Sequence, residues 1–274
     1  MQHMGAIKLK AYLDTNILRQ LKKIPESNEI ELICSQLGIM ELISGMTSER
    51  EYAVRRSALA NILTRGVSIV WKSIATLQSN AFALDIPDYD VPATKALMEE
   101  IIKIPTLAEA EKVEVDFGGN TYTISTFARF DKDLMDESVS TLNGTLSTSK
   151  EDRQTLRENP YTPAVIQTLS EITIVNFLNH LGIEKFSPRY MRSIEHYSKS
   201  RLLSNYIHCL TAYTMDAMAS GNPSGRNDGH DIAHLAYSDG VDLFISDDKI
   251  YHRLQQDLFT VKFLRFDEFI LQGF

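Results

Sequence analysis

The sequence predicts an α/β fold in which helices cover both faces of a central parallel sheet, as in a three-layer αβα sandwich. Short apolar segments followed by helical patterns recur at both ends of the chain, which is typical of alternating strands and helices. This alternation is lost over about residues 85–204. With 274 residues, 43% of them hydrophobic, the chain can bury one large core or two modest ones.

The first predicted elements are two strands, each leading into a helix. Residues 7–13 alternate between polar and apolar side chains and end at Asp14, after which a helical pattern begins. A second strand over residues 30–34 is followed by Ser35 as a helix N-cap, and Glu41 lies near the start of that helix. Because open α/β sheets bind ligands beyond the carboxyl ends of their strands, Asp14 is placed at a candidate site.

The remaining elements follow from the same patterns. A helix over residues 49–65, ended by Gly66, precedes a strand over residues 67–71. The middle of the chain predicts a helix over about residues 94–103, a hairpin over residues 112–125 with its turn at 118–120, an exposed loop over residues 143–153, and helices over residues 163–181 and 189–219. The end predicts a helix over residues 230–238, a strand over 241–245, a helix over 248–256, a strand over 261–264 and a helix over 267–271. We therefore predict one domain formed by residues 6–84 and 205–274, with residues 85–204 inserted as a mostly helical subdomain that carries the β-hairpin.

Composition excludes several classes of protein. A net charge of −8 argues against coating nucleic acid by bulk electrostatics. Cys34 and Cys209 are too few for a disulfide framework or a zinc site, and we expect both to be buried. The sequence contains neither an apolar run long enough to span a membrane nor a secretion signal, so we expect a cytoplasmic protein without a membrane partner.

Four acids are candidates for a metal site: Asp14, Glu41, Asp231 and Asp248. Each falls at a strand end or a helix start, where the fold would direct it toward one place. Close carboxylates repel one another by about 4 kcal/mol per pair at an intermediate dielectric, so such a cluster requires a cation. Oxygen ligands select Mg²⁺ or Mn²⁺, which can generate hydroxide and direct it at a phosphodiester.

Several segments, in order, resemble the PIN-domain nucleases. The segment Tyr12–Leu18 is similar to that family's opening strand and Asp-Thr-Asn motif, and Glu41 matches its second acid. The segment Asp231–Ala236 resembles the helix that carries the third acid, and Leu243–Asp248 resembles the strand followed by Ser-x-Asp. The ending, Phe263–Ile270, is similar to the family's last strand and helix. The resemblance covers about residues 6–84 and 205–274 and nothing in 85–204.

The resemblance implies a metal-dependent ribonuclease with a central parallel sheet in an αβα sandwich. It implies that the four acids bind the metal and that Asn16 and Ser246 support them by hydrogen bonding. Toxin members of the family usually act beside an inhibitory protein partner, which would then be expected here as well. The acidic segment of residues 85–204 could pack over the site, form a homodimer or bind another partner.

Some neighbouring residues have two interpretations. Asp228 could be a fifth ligand, but we expect Asp228 or Asn227 to cap the helix. Asp248 fits the motif better than Asp247, which would point elsewhere if the chain turns there. Arg226, in a glycine-containing loop before Asp231, is the candidate for a contact with RNA phosphate.

The same residues are compatible with two alternative functions. The chain could be a catalytically idle PIN-like module that serves in binding or scaffolding. His230 and His234 share a helix face on either side of Asp231, a spacing that is also found in zinc and HD-type metallohydrolases. Neither of those two metallohydrolase patterns explains the acids at Asp14 and Asp248.

Overall fold

The computed structural model describes residues 8–84, 90–145, 149–158, 161–221 and 225–273. Its strands are β1 Leu9–Leu13, β2 Ile30–Ser35, β3 Ser68–Val70, β4 Val115–Phe117, β5 Asn120–Tyr122, β6 Leu243–Ile245 and β7 Lys262–Leu264. Its α-helices are α1 Thr15–Leu18, α2 Gln36–Ser44, α3 Glu49–Thr64, α4 Ile74–Phe82, α5 Asp90–Ile101, α6 Leu107–Ala110, α7 Ile124–Thr145, α8 Lys150–Glu158, α9 Pro163–His180, α10 Pro188–Ser200, α11 Ser204–Ser220, α12 Asp228–His234 and α13 Phe266–Leu271.

Five strands form a parallel sheet in the order β3-β2-β1-β6-β7. From the central strand β1, the chain first adds β2 and β3 on one side and later adds β6 and β7 on the other. The strand order therefore reverses between β1 and β6, which is where sheets of this kind bind ligands. The predicted α/β fold with a central parallel sheet is confirmed, and the arrangement is compatible with a three-layer sandwich.

The place where the strand order reverses, between β1 and β6, is the topological switch point of the sheet. The elements beside it form for local reasons that the sequence indicates. Tyr12 and Leu13 are fully buried at the end of β1, and Ser35 caps α2 by accepting a hydrogen bond from the Gly38 amide at 3.1 Å. A Cβ on Gly38 would lie 3.3 Å from Leu18 and 3.5 Å from the Thr15 hydroxyl. The glycine thus lets α2 approach α1 closely, which places Glu41, one turn further along α2, beside Thr15.

Residues 90–200 contribute helices α5–α10 and the antiparallel pair β4–β5, and none of their described residues joins the parallel sheet. The predicted hairpin is confirmed, with Gly118 and Gly119 at φ of 59° and 82° in its turn. Buried side chains of this segment, including Phe127 and Ile166, belong to the same apolar cluster as Leu13. The middle of the chain therefore shares a continuous core with the sheet.

Three predictions in the second half of the chain are wrong. Within the segment 143–153, predicted as a loop, α7 continues to Thr145 and α8 begins at Lys150, so residues 143–145 and 150–153 are helical; residues 146–148 lie outside the described part of the chain. The helix predicted over 189–219 is divided into α10 and α11 by Arg201 and Leu203, which both adopt positive φ. The helix predicted over 248–256 is replaced by 3₁₀ turns at Tyr251–Arg253 and Gln256–Leu258.

Two expectations drawn from the composition concern the cysteines and membrane-spanning helices. Cys34 and Cys209 are buried and free, as predicted. Among the helices that the structure describes, none combines the length and apolar character needed to cross a bilayer. Residues 6–7 and 85–89, which include predicted domain bounds and the first residue of the first predicted strand, lie outside the described residues.

Candidate functional site

Asp14 and Ser246 lie side by side at the carboxyl ends of the two central strands. The amide of Asp14 donates to the Ile245 carbonyl at 3.1 Å, which extends the pairing of β1 with β6 by one residue. The Ser246 hydroxyl then donates to Asp14 Oδ2 at 2.6 Å, and the Thr15 amide donates to Asp14 Oδ1 at 2.6 Å. Asp14 is thus the N-cap of α1, and its carboxylate is fixed at the switch point of the sheet.

Asn16 connects Asp14 to Asp248. Its side-chain amide donates to Asp248 Oδ2 at 2.6 Å and lies 3.2 Å from Asp14 Oδ2. The Ser246 hydroxyl accepts a hydrogen bond from the Asp248 amide at 3.1 Å. The two residues that were expected to support the acids are therefore the ones that hold these two acids beside each other.

Glu41 reaches the same place from α2, where it meets His234. The Thr15 hydroxyl donates to Glu41 Oε2, and His234 Nε2 lies 3.0 Å from the same oxygen. His234 Nε2 also lies 3.4 Å from Asp14 Oδ1. Asp14, Glu41 and His234 each offer one atom within 4.8 Å of the other two, so these three residues could hold a metal ion.

The other nitrogen of His234 is held by a buried hydrogen-bond network. His234 Nδ1 lies 2.6 Å from the Tyr12 hydroxyl, which lies 2.7 Å from the Ser35 hydroxyl. When Nδ1 donates to Tyr12, the Nε2 atom is left to face Glu41 and Asp14. Such a contact at the far nitrogen is what orients histidine ligands in metal sites.

Asp231 approaches the cluster from α12. Its backbone carbonyl accepts a hydrogen bond from the Tyr251 hydroxyl at 2.5 Å. Burial, together with the smaller effects of the charges of Asp14 and Asp248, raises the pKa of Asp231 to about 8. The pKa of Asp14 is likewise raised to about 7, because burial and the charge of Glu41 outweigh the opposing charge of His234. The four predicted acids therefore interact electrostatically in one cluster.

His234 and Glu41 form the charged pair at the centre of this cluster. Burial alone would lower the pKa of His234, but the charges of Glu41 and Asp14 raise it to about 9. Burial alone would raise the pKa of Glu41, but the charge of His234 and the hydrogen bonds from His230, His234 and Thr15 hold it well below its usual range. Without a metal, an imidazolium therefore offsets part of the negative charge at neutral pH.

A cleft of about 540 Å³ opens beside the acids. Asp231 and Asp248 lie on its wall together with two exposed cations, Lys249 and Arg253. Acidic groups that can bind a cation thus lie next to basic groups that can bind phosphate. Lys249 and Arg253 were not predicted from the sequence as candidate site residues. A helix was predicted over residues 248–256, and that helix did not indicate that these two side chains face the acids.

The remaining predicted residues lie around this cleft. Asn227 occupies the N-cap position of α12 without capping it through its side chain, and Asp228 instead accepts hydrogen bonds from the Gly225 amide at 2.6 Å and from the Tyr213 hydroxyl. The capping prediction for these two residues is therefore wrong. Asp247 Oδ1 accepts from the Phe266 amide at 3.0 Å, at the start of α13, and Asp247 also lies on the wall of the cleft.

Arg226, the predicted contact for RNA phosphate, is exposed at the surface near the cleft. Its Nε lies 3.9 Å from Asp136 Oδ1 on α7, a distance at which an exposed ion pair contributes little. The guanidinium is therefore accessible to an anion, while the cations that line the cleft itself are Lys249 and Arg253.

Sequence reasoning assigned no metal-binding role to the histidines within the carboxylate site. The spacing of His230 and His234 indicated that they share a helix face, but it was considered only for zinc and HD-type enzymes. Both are buried, with exposed fractions of 6% and 1%. Both face Glu41, since His230 Nδ1 lies 3.5 Å from Glu41 Oε1 and His234 Nε2 lies 3.0 Å from Glu41 Oε2.

Comparison with family models, with curated proteins and with solved structures finds no match for this chain.

Proposed function

We propose that this chain is a divalent-cation-dependent, PIN-like nuclease that hydrolyses phosphodiester bonds in RNA. The observation that carries the proposal is the convergence of Asp14, Glu41, Asp231 and Asp248, which come from both ends of the sequence, at the switch point of the parallel sheet. Buried carboxylates whose charges repel one another are costly without a cation, so their clustering at a ligand-binding position supports a catalytic role.

The residues present fit a divalent cation. Asp14, Glu41 and His234 would hold it, and Asp231 and Asp248, whose charges act on Asp14 or are acted on by it, would interact with its water ligands. An imidazole beside carboxylates favours Mn²⁺ over Mg²⁺, which prefers oxygen ligands alone. When bound, such a cation lowers the pKa of water and stabilises the leaving oxygen of a phosphodiester.

The protein itself positions the groups and shapes the electrostatic field. Asn16 and Ser246 fix the carboxylates of Asp14 and Asp248 through hydrogen bonds of 2.6 Å each. Lys249 and Arg253 offer positive charge on the cleft wall, where a nucleic acid backbone would lie beside the acids.

RNA is proposed over DNA because the segments around the four acids resemble those of PIN-domain ribonucleases. The direct test incubates the purified protein with an RNA strand and a DNA strand of the same sequence, each with Mn²⁺, with Mg²⁺ and with a chelator. We expect internal cleavage of the RNA that requires Mn²⁺ or Mg²⁺ and stops with the chelator. Cleavage that is unaffected by the chelator, or absent with both ions across diverse cellular RNA, would refute the proposal.

A second candidate is a catalytically idle module, which one observation favours. His234 carries a proton at neutral pH and already offsets the charge of Glu41 and Asp14, so the cluster is partly compensated without a metal. A thermal melt with and without Mn²⁺ separates the two candidates, because an ion that binds only the folded state raises the melting temperature. An unchanged melting temperature at millimolar Mn²⁺ would favour the idle module.

A further inference from the structure

An apolar groove opens where α7 meets α2 and the β4–β5 hairpin. Its volume is about 270 Å³, and its apolar lining comes from all three elements: Met40, Tyr122, Phe127, Phe130 and Leu134. Phe130 and Leu134, one helical turn apart on α7, are 40% and 44% exposed. Large apolar side chains that are exposed together at a cavity indicate a surface that binds a ligand.

The aromatic side chains of the groove hold one another in place. The Tyr122 ring centroid lies 6.1 Å from that of Phe127 and 6.3 Å from that of Phe130, both in tilted arrangements. Tyr122 and Phe127 are buried, so they anchor the exposed ring of Phe130. A fixed aromatic ring that is partly open to solvent is a surface on which a planar nucleobase can stack.

The charged residues in the lining of the groove are both acids, Asp133 and Glu137, which lie one turn apart on α7. Carboxylates accept hydrogen bonds and repel phosphate, so they favour a planar group that donates hydrogen bonds. Among the four bases of RNA, guanine alone presents two neighbouring N–H donors, at N1 and N2, on its Watson–Crick edge. A carboxylate beside the stacked ring therefore favours guanine over the other three bases.

A cation next to the groove can bind the phosphate of the same nucleotide. The Arg129 guanidinium carbon lies 5.8 Å from the centroid of the Phe130 ring, and the side chain is exposed. Arginine beside an aromatic ring is a combination that serves both the backbone and the bases of single strands. The acids of the lining would thus contact the base edge, and Arg129 the phosphate.

The groove lies beside the acidic cluster. Met40 directly precedes Glu41 on α2, and Phe130 directly precedes Asp131 on α7. Asp131 Oδ1 in turn lies 3.4 Å from Nδ1 of His230. That same Nδ1 lies 3.5 Å from Glu41 Oε1. A base in the groove can therefore belong to the strand whose phosphodiester lies at the acids, a few nucleotides away.

We propose that this groove is a nucleobase site that binds a guanine of single-stranded RNA, stacked on Phe130 and hydrogen-bonded to Asp133 and Glu137. Its part in cleavage rests on the nuclease function proposed above, where it would select RNA with a guanine near the scissile bond. A single strand is required, because in a duplex the Watson–Crick edge of guanine is already paired and the base is stacked on its neighbours.

Binding of mononucleotides tests the site without any cleavage. Guanosine, adenosine, cytidine and uridine monophosphate are each titrated, with a chelator present, into the full chain carrying isotope-labelled methionine methyl groups for NMR. Met40, in the lining, is the reporter, and Met191, exposed on α10, is the internal control. We expect a saturable shift of the Met40 signal, with guanosine monophosphate bound about tenfold more tightly than the others, and no shift of Met191.

Variants assign the binding to the named side chains. Phe130→Ala should weaken binding of guanosine monophosphate about tenfold or more, because the base loses its stacking partner. The double variant Asp133→Asn and Glu137→Gln should keep the stacking and lose most of the preference for guanosine over adenosine monophosphate. Phe186→Ala, which changes an aromatic side chain that is 74% exposed, is the matched control and should bind like the wild type.

The outcomes separate this site from the nuclease function. A Met40 shift with guanosine monophosphate that Phe130→Ala abolishes would support the base site whether or not the chain cleaves RNA. Metal-dependent RNA cleavage by a chain whose Met40 signal does not respond to millimolar guanosine monophosphate would overturn the base site and leave the nuclease function standing. Equal binding of all four nucleotides would overturn the selection of guanine. A dimer that Phe130→Ala dissociates, without nucleotide binding, would overturn the base site and assign the groove to a second copy of the chain.

Discussion

The Asn16 side-chain amide lies 2.6 Å from Asp248 Oδ2, and this contact joins the helix after β1 to the loop after β6. The two residues are separated by 232 positions in the sequence. Because the same amide also faces Asp14, its loss would release two acids of the cluster at once. Asn16 is therefore expected to act by positioning the carboxylates, without binding a metal itself.

Asn16→Ala should weaken Mn²⁺ binding and lower the rate of RNA cleavage. Residues that orient metal ligands typically contribute about 10–100-fold to metal affinity or activity, and we expect a loss in that range. Asn28→Ala is the control, since Asn28 is exposed just before β2 at the opposite end of the sheet. Wild-type Mn²⁺ affinity and cleavage in Asn16→Ala would contradict the positioning role.

His234→Ala should destabilise the metal-free protein by about 3 kcal/mol or more, because removing one partner of a buried ion pair leaves Glu41 uncompensated. Denaturant unfolding without metal measures this loss. Addition of Mn²⁺ should restore part of the stability if the carboxylates still bind the ion. Gln167→Ala, which changes an exposed side chain on α9, is the control and should shift the free energy of unfolding by less than about 0.5 kcal/mol.

The metal-free protein should lose stability as the pH rises from about 4 to about 9. The pKa of Asp14 is raised to about 7 and that of Asp231 to about 8, so the folded chain holds protons that the unfolded chain releases near pH 3.8. The pKa of His234 is raised to about 9 from 6.5, so its stabilising proton is also lost through the upper part of this range. Stability falls with pH wherever the folded state binds more protons.

Thermal melts at several pH values in the presence of a chelator measure this slope. Saturating Mn²⁺ should flatten it, because a bound cation replaces the protons and its affinity rises with pH. A metal-free melting temperature that increases toward pH 9 would show that these three groups are not protonated in the folded state.

The double variant Lys249→Ala and Arg253→Ala should weaken RNA binding more than it slows the chemical step. Both cations are exposed on the cleft wall, so their loss should raise KM several-fold with little change in kcat. The dependence of binding on salt should decrease by about one unit of slope for each phosphate contact removed. The matched control is the double variant Lys185→Ala and Arg189→Ala, which changes two exposed cations, the first before α10 and the second at its start. It should leave KM and the salt dependence of binding unchanged.

The sheet and the acids at its edge were predictable because their signals are local. An apolar strand that ends in an acid or a serine directs that residue to the carboxyl edge, which is where Asp14 and Ser246 lie. The capping side chain of Ser35 and the glycines of the β4–β5 turn are equally local. Such features depend on only a few neighbouring residues.

The residues that were missed depend on tertiary packing. Asp131 is one of several acids on α7, and the packing of α12 against α7 brings His230 Nδ1 to 3.4 Å from its Oδ1. The break between α10 and α11 contains no glycine or proline. Leu203 adopts positive φ there, where it is 1% exposed and its amide donates to Asp239 at 2.7 Å. Burial and this hydrogen bond offset a backbone cost of about 1–2 kcal/mol, and nothing in the local sequence indicates it.

The central claim is that the carboxylate cluster performs metal-dependent hydrolysis, and the cleavage rate of Asp14→Asn tests it most directly. The substitution keeps the shape of the side chain and removes the charge that would hold the cation. With saturating Mn²⁺ and RNA, we expect a rate at least about 1000-fold below the wild type, which corresponds to about 4 kcal/mol of lost transition-state stabilisation. Asp257→Asn, at an exposed position, should retain the wild-type rate. A folded Asp14→Asn protein that cleaves RNA at the wild-type rate would contradict the account.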